Sequence, residues 1–235
     1  MDPAPAKPAP DALAAIELFR GLPSDALAEA LHRGTIRRLA RDTVIFVQGE
    51  AATCCHALIE GRVRISQSDE DGAQLLVRFI GPGEMFGTVG LFTDRQYPAE
   101  AVAVLDSLEM SWVEADLLEL IGKYPRIALN IVHIVGARLR EVQERLRELA
   151  SQRVERRIAH VLLRLTAQAS QFHDGAAIDF PLTRRDVAAM CGTTLHTVSR
   201  ILTAWEKAGL IASRRQRITI CDFTGLRHIA EDALA

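Results

Sequence analysis

Apolar residues at Ala128, Val132, Val135, Leu139, Val142, Leu146 and Leu149 recur at alternating intervals of four and three. That heptad spacing predicts one long helix, from about Tyr124 to Leu149, with an unbroken apolar seam along one side. The seam fits a parallel helix pair between two subunits. The alternative is that it packs only on the chain's own β domain.

Before this helix the period shortens. Thr43–Val47, Ala57–Glu60, Arg62–Ser66, Leu75–Ile80, Ala99–Leu105 and Leu108–Val113 are short runs of β-branched or apolar residues. Gly49, Gly61, Asp71-Gly72 and Gly81-Pro-Gly83 punctuate them. Closely spaced strands with glycine turns predict a sandwich, jelly roll or barrel, and Asp71-Gly72 is a hairpin signal. Helical segments at Ala12–Phe19 and Ser24–Leu31 precede the first strand. After the long helix, a second helix is expected over Val154–Gln168.

From Leu182 to Trp205 the pattern is that of two short helices around a tight turn. Thr183, followed three residues later by Asp186, is a capping-box start. Gly192 permits a left-handed turn, and Thr193 or Thr194 can cap the second helix. Along that helix Val198, Ile201, Leu202 and Trp205 share one face, while His196, Ser199, Arg200 and Thr203 share another. This is a helix-turn-helix, whose second helix enters the major groove of DNA, where an arginine can bond bidentately to guanine. Arg200 is the candidate for that contact. Residues 210–221 follow as two extended runs around a basic turn, a winged hairpin whose Arg214, Arg215 and Arg217 suit phosphates.

Charge divides the chain as the patterns do. The 235 residues carry 28 Lys+Arg against 30 Asp+Glu, a net of −2. Residues 1–122 hold 10 basic and 19 acidic side chains, and residues 123–235 hold 18 and 11. The asymmetry predicts two jobs in one chain. Expected boundaries are a flexible Pro/Ala-rich tail over 1–10, a β-roll sensor domain over 11–122, a dimerisation helix over 123–150 and a DNA-binding domain over 151–235. The apolar content of 49% is ample for buried cores. No run is long enough to span a membrane and the N-terminus lacks an apolar signal core, so a cytoplasmic protein without membrane partners is expected. Zinc-protease, nucleophile-elbow and Walker motifs are absent, which argues against an enzyme. A β-roll that binds a ligand without DNA would leave Arg200 and the basic wing unused.

The order of β-roll, long helix and winged helix-turn-helix closely resembles the CRP/FNR family of bacterial transcription regulators. Gln48-Gly-Glu50, Ile59-Glu-Gly-Arg-Val-Arg-Ile65, Gly81-Pro-Gly-Glu-Met-Phe-Gly87 with Gly90-Leu-Phe92, and Thr197-Val-Ser-Arg-Ile-Leu202 carry the likeness. It implies an α+β fold: an N-terminal cyclic-nucleotide-binding-like β-roll (jelly roll), a long dimerisation helix through Val132, Val135, Leu139, Val142, Leu146 and Leu149, and a C-terminal winged helix-turn-helix. It implies a homodimer on double-stranded DNA, with RNA polymerase as a further partner if the protein is an activator. Arg200 matches the guanine-reading arginine, Ser199 a base-contacting serine, and Thr183, Arg184 and Arg185 residues at the phosphate backbone. Thr194 and Thr197 complete the expected DNA-facing set. His196 stands where the family usually has Glu, so the central bases of the half-site stay open; a TTG-containing inverted repeat is expected.

The signal is less legible. Resemblance places an effector pocket at Gly87, Thr88, Val89, Tyr97 and Pro98. Cyclic-AMP binders carry a ribose-binding Glu and a phosphate-binding Arg-Ser pair where this chain has Thr88 and Tyr97-Pro98, so cyclic AMP is not expected. An iron–sulfur cluster is not expected either, because Cys54, Cys55, Cys191 and Cys221 are scattered. Reduced structural thiols are the expectation, with a thiol switch at Cys54 or Cys55 the alternative. The chain looks most like the branch that regulates nitrite and nitric-oxide reductase genes, which implies nitric oxide sensing, with haem as a possible cofactor. His32, His56 and His133 would be the candidate axial ligands, and spacing singles out none; no other metal site is legible.

Overall fold

A computed structural model describes residues 10–69, 74–170, 178–214 and 216–231. Two compact units divide the chain, Met1–Ala73 with Val77–Arg140 and Gln74–Leu76 with Glu141–Ala235. The first is the β-roll. It opens with α1 (Pro10–Leu13), a 3₁₀ turn (Glu17–Phe19) and α2 (Ser24–Arg33). The strands are β1 (Thr35–Leu39), β2 (Val44–Phe46), β3 (Cys54–Glu60), β4 (Val63–Ser68), β5 (Gln74–Ile80) and β6 (Met85–Phe86). After α3 (Thr88–Phe92) come β7 (Glu100–Ala103) and β8 (Ser107–Val113), then α4 (Glu114–Lys123).

The strands form two four-stranded sheets, β1-β8-β3-β6 and β2-β7-β4-β5. Residue alternation explains how β3 serves two cores. His56 and Leu58 face the inter-sheet layer, where Leu58 joins Phe46, Val63, Ile65, Phe86 and Tyr97. Cys55 and Ala57 face the other way, into a layer with Leu18, Phe19, Leu27, Met110, Trp112 and Leu117. Trp112 locks that layer, since its Nε1–H donates to the Ala30 carbonyl at 2.8 Å and its ring meets Phe19 edge-on at 4.9 Å.

The long helix is α5 (Arg126–Ser151), starting two residues later than the heptad pattern predicts. Pro125 disfavours helical backbone at Tyr124, which instead caps α4 by donating its N–H to Leu120. On one face Ile127 is buried, and the Asn130 amide donates to the carbonyls of Leu18 and Arg20. Ala12–Phe19, expected as one helical stretch, is broken between Leu13 and Glu17. The strands β1 and β6 and the helices α3 and α4 go beyond the sequence reading. The Asp71-Gly72 hairpin signal and residues 1–9 of the tail expected over 1–10 lie outside the described residues, and Pro10 opens α1 instead.

In the second unit α5 ends and α6 (Val154–Ser170) begins after a two-residue break. Next come α7 (Arg184–Cys191), α8 (Leu195–Lys207), the hairpin β9 (Ile211–Arg214) and β10 (Arg217–Ile220), and α9 (Phe223–Glu231). Ile158, Leu162 and Leu165 of α6 are buried, as are Phe180, Val187, Leu202, Trp205, Ile218 and Leu226. The segment before α7 is tied to the hairpin: Ile178 and Leu182 donate N–H groups to Ile218 and Gln216. Arg157 bonds the carbonyls of Gln152 and Cys191 at 2.8 and 2.9 Å, joining the start of α6 to the end of α7.

Candidate functional site

The helix-turn-helix is built from local chemistry. The hydroxyl of Thr183 accepts from the Asp186 N–H, and the Asp186 carboxylate accepts from the Thr183 N–H, so two N-terminal donors of α7 are satisfied reciprocally. Gly192 ends α7 at φ 58°, and a Cβ there would stand 2.9 Å from Leu149 Cδ2. Thr194 then caps α8, its hydroxyl accepting from the Thr197 N–H at 3.2 Å. Thr194 and Thr197 also bond to each other through their hydroxyls.

Val198, Ile201, Leu202 and Trp205 are all buried, which fixes the rotation of α8. His196 and Arg200 are thereby left exposed, with Ser199 and Thr203 half-buried beside them. Leu195, which the sequence reading did not single out, is 45% exposed at the same end. Its signal was an apolar residue outside the buried stripe, and such a side chain suits a thymine methyl group. In the wing Arg214 and Arg217 are exposed cross-strand partners. Like charges held opposite each other destabilise a hairpin unless an anion lies between or near them. Arg215 lies outside the described residues.

The three residues expected at the phosphate backbone have different surroundings. Thr183 is occupied by its capping bonds, and Arg185 is exposed. Arg184 instead lies along α8, with Nη1 3.4 Å from the Ser199 carbonyl and 3.3 Å from Thr203 Oγ1, and Nη2 3.3 Å from the Glu206 carboxylate.

At the expected effector pocket, Gly87 is left-handed at φ 73° and a Cβ would meet His56 and Tyr97 at 3.0 and 3.1 Å. The structure therefore brings Gly87 and Tyr97 together, with Thr88 half-buried next to them. Val89 is 56% exposed and Pro98 is exposed. Tyr97 is only 4% exposed and stacks on Phe46 with ring centroids 3.8 Å apart. Burial pushes its hydroxyl up to about 12.

That hydroxyl belongs to a buried polar chain. It donates to the Cys54 carbonyl at 2.9 Å, so its oxygen accepts from His56 Nε2–H at 3.2 Å. His56 Nδ1 faces Glu109 Oε2 at 3.4 Å, and Glu109 Oε1 accepts from Arg37 Nε at 2.6 Å. Burial alone raises the Glu109 carboxyl, but the bond and charge from His56, with Arg37, outweigh it and hold it below the usual carboxylate range. None of these partners of His56 is near it in sequence.

This arrangement does not fit an axial haem ligand. His56 is buried, its Nε2 is committed to the Tyr97 hydroxyl, its Nδ1 is closed in by Glu109 at 3.4 Å, and its ring is stacked on Phe86 at 5.1 Å. His32 and His133 lie on exposed positions of α2 and α5. Among the described residues no group of three or more His, Cys, Asp or Glu is arranged to hold a metal ion. Cys55 is fully buried and its thiol is pushed up to about 12 by that burial. Cys191 is likewise raised to about 12, while Cys54 is half-buried and Cys221 exposed.

The apolar seam of α5 is open to solvent. Val132, Val135, Leu139, Val142, Leu146 and Leu149 are between 43% and 66% exposed, and Ala128 is half-buried. No helix among the described residues is long and apolar enough to cross a membrane.

Two family models match the chain, one described as a cyclic nucleotide-binding domain over residues 36–124 and one as a Crp-like helix-turn-helix domain over residues 156–229. The chain is similar to the cyclic AMP receptor protein of Thermus thermophilus, 31% identical over 194 residues that cover 83% of this chain and 87% of that protein. It is similar to the transcriptional activator protein FnrA of Stutzerimonas stutzeri, at 26% over 213 residues, 89% of this chain and 85% of that protein. Among solved structures, FixK2 from Bradyrhizobium japonicum matches with a TM-score of 0.75 at 23% identity, covering 86% of this chain and 99% of that one. The catabolite activator protein of Thermus thermophilus matches at 0.53 and 29%, covering 91% and 98%.

Proposed function

The chain belongs to the CRP/FNR family of DNA-binding transcription regulators, and from that premise we propose that it acts in the cytoplasm as a homodimer, reading an inverted repeat under the control of a small ligand. The assignment of residues 11–122 to sensing, 123–150 to dimerisation and 151–235 to DNA binding belongs to this reading. The observation that carries it is the split of α8 into a buried stripe and an exposed face bearing His196 and Arg200.

Each protomer lays α8 in a major groove, with Arg200 on a guanine, Leu195 against a thymine methyl and Ser199 at a base edge, which favours a TTG half-site. Arg185 and the wing arginines Arg214, Arg215 and Arg217 meet phosphates. A phosphate at the wing also relieves the Arg214–Arg217 opposition. The seam of α5, exposed in the single chain, closes against its copy and sets the spacing of the two recognition helices. RNA polymerase is the further partner where the protein activates.

The effector is read at Gly87, Thr88, Val89, Tyr97 and Pro98. Cyclic AMP, for which the Thermus thermophilus relative is named, is not the ligand in this reading. Tyr97 and Pro98 stand where a phosphate-binding Arg-Ser pair is implied, and Tyr97 fills the space with its own ring. Nitric oxide carried on haem lacks an available axial ligand at His56, and of the two cysteines of the thiol-switch alternative Cys55 lacks an accessible thiolate, which leaves only the half-buried Cys54. A different small molecule that displaces Tyr97 is the signal favoured here. Fluorescence-monitored melting against a panel of cyclic nucleotides, ferric haem and small metabolites tests this. The reading expects stabilisation by a ligand in wild type that Tyr97→Ala alters, and no stabilisation by cyclic AMP; tight cyclic AMP binding contradicts it.

A further inference from the structure

We propose that Arg184 is a positioning residue that fixes the recognition helix, and that its neighbour Arg185 is the arm that meets the phosphate backbone. The inference rests on the DNA-binding reading and deepens it by separating two adjacent arginines of equal charge.

Arg184 is the first residue of α7, where the helix dipole is positive and a cation is disfavoured; Glu206 is in the last turn of α8, where the dipole is negative and an anion is disfavoured. Each charge is at the wrong end of its own helix, and each relieves the other. Both carboxylate oxygens of Glu206 lie 3.3 and 3.4 Å from Arg184 Nη2. The other terminal nitrogen reaches the Ser199 carbonyl and the Thr203 hydroxyl. Residues 199, 203 and 206 are spaced by four and three, so one guanidinium spans two turns along a single face of α8. That face adjoins Arg200, so the rotation and tilt with which Arg200 enters the groove depend on this contact.

A phosphate approaching Arg184 would also approach the Glu206 carboxylate and be repelled by it. Arg185 is exposed and free of that conflict. Counterion release then distinguishes the roles, because each phosphate contact contributes ~0.9 to the slope of log affinity against log salt.

The test uses the full-length protein and labelled duplexes, one with a TTG-containing inverted repeat and one scrambled, titrated between low and moderate salt. Arg185→Gln should reduce the salt slope by ~1.8 for the two protomers on both duplexes. Arg184→Gln should leave the slope unchanged and reduce binding to the repeat by roughly three- to tenfold, with little effect on the scrambled duplex. The sign at Glu206 separates the readings further: Glu206→Gln should weaken binding to the repeat, whereas removal of a carboxylate beside a true phosphate contact would strengthen binding to both. In DNA-free protein, Arg184→Gln and Glu206→Gln should be non-additive in thermal unfolding. Additive unfolding effects, or a slope that falls with Arg184→Gln, overturn the assignment. Arg200→Ala is the control for the parent reading. If wild type binds both duplexes alike and Arg200→Ala changes nothing, the specificity reading fails, while the scrambled-duplex slope and the unfolding cycle still decide the role of Arg184.

Discussion

His56 Nε2 lies 3.2 Å from the hydroxyl oxygen of Tyr97, whose own proton goes to the Cys54 carbonyl. The sharing ties the effector edge to β3, so a ligand that moves Tyr97 takes a partner from the buried His56 ring and the half-buried Cys54 carbonyl at once. Tyr97→Phe removes this partner from both, and the buried His56 nitrogen alone costs ~1–3 kcal/mol, the half-buried Cys54 carbonyl less. The melting temperature should fall by several degrees, at ~2–4 °C per kcal/mol, which calorimetry measures directly. An unchanged melting temperature would show that the chain contributes nothing.

The same commitment of His56 predicts its behaviour toward haem. A ferric haem titration should give no Soret band that depends on His56, so wild type and His56→Gln should be spectrally alike. A one-per-protomer band lost in His56→Gln would restore the haem reading.

Glu109 supplies a pH dependence. Its folded carboxyl is held below the unfolded value, so the stabilisation is present above the unfolded pKa and is lost as pH falls through the folded one. Wild type should lose stability more steeply than Glu109→Gln on acidification below about pH 4.3, the ordinary glutamate value. Chemical denaturation across that range reads the difference.

Thiol chemistry should divide the cysteines by burial. In native protein at pH 8, Cys54 and Cys221 should react with a thiol reagent while Cys55 and Cys191, both raised to about 12, stay silent until denaturant is added. Mass spectrometry of alkylated peptides gives the pattern, and fast labelling of Cys55 would revive a redox switch.

For the seam, Val142→Asp places a charge where two apolar faces should close. Sedimentation should show wild type as a dimer and the variant shifted to monomer, with affinity for the inverted repeat reduced more than tenfold, since a side chain of this kind contributes ~1.5–3 kcal/mol on burial. A dimer that survives Val142→Asp and Leu146→Asp together would move the interface elsewhere.

Where local chemistry sets an element, its sequence reveals it. Thr183 and Asp186 cap α7 between themselves, Gly192 turns the chain alone, and the stripe Val198, Ile201, Leu202, Trp205 needs only helical periodicity. The seam of α5 is legible for the same reason. What sequence conceals is non-local. β1 is short and carries two arginines, so no alternating apolar pattern marks it, yet its Arg37 meets Glu109, 72 residues away. His56 looks like any histidine until β3, β8 and the turn before β7 bring Glu109 and Tyr97 to its two nitrogens. Arg184 and Arg185 are indistinguishable as letters; only the packing of α7 on α8 gives the first a carboxylate partner.

The central claim is sequence-specific DNA reading by α8, and fluorescence anisotropy at fixed salt tests it most directly. A labelled TTG-containing inverted repeat and a scrambled duplex of the same length are titrated with wild type and Arg200→Ala. The account predicts tighter binding of wild type to the repeat, with that preference reduced by ~1–3 kcal/mol in Arg200→Ala, the worth of one bidentate arginine–guanine contact. Equal preference in wild type and variant for every repeat tried would contradict it.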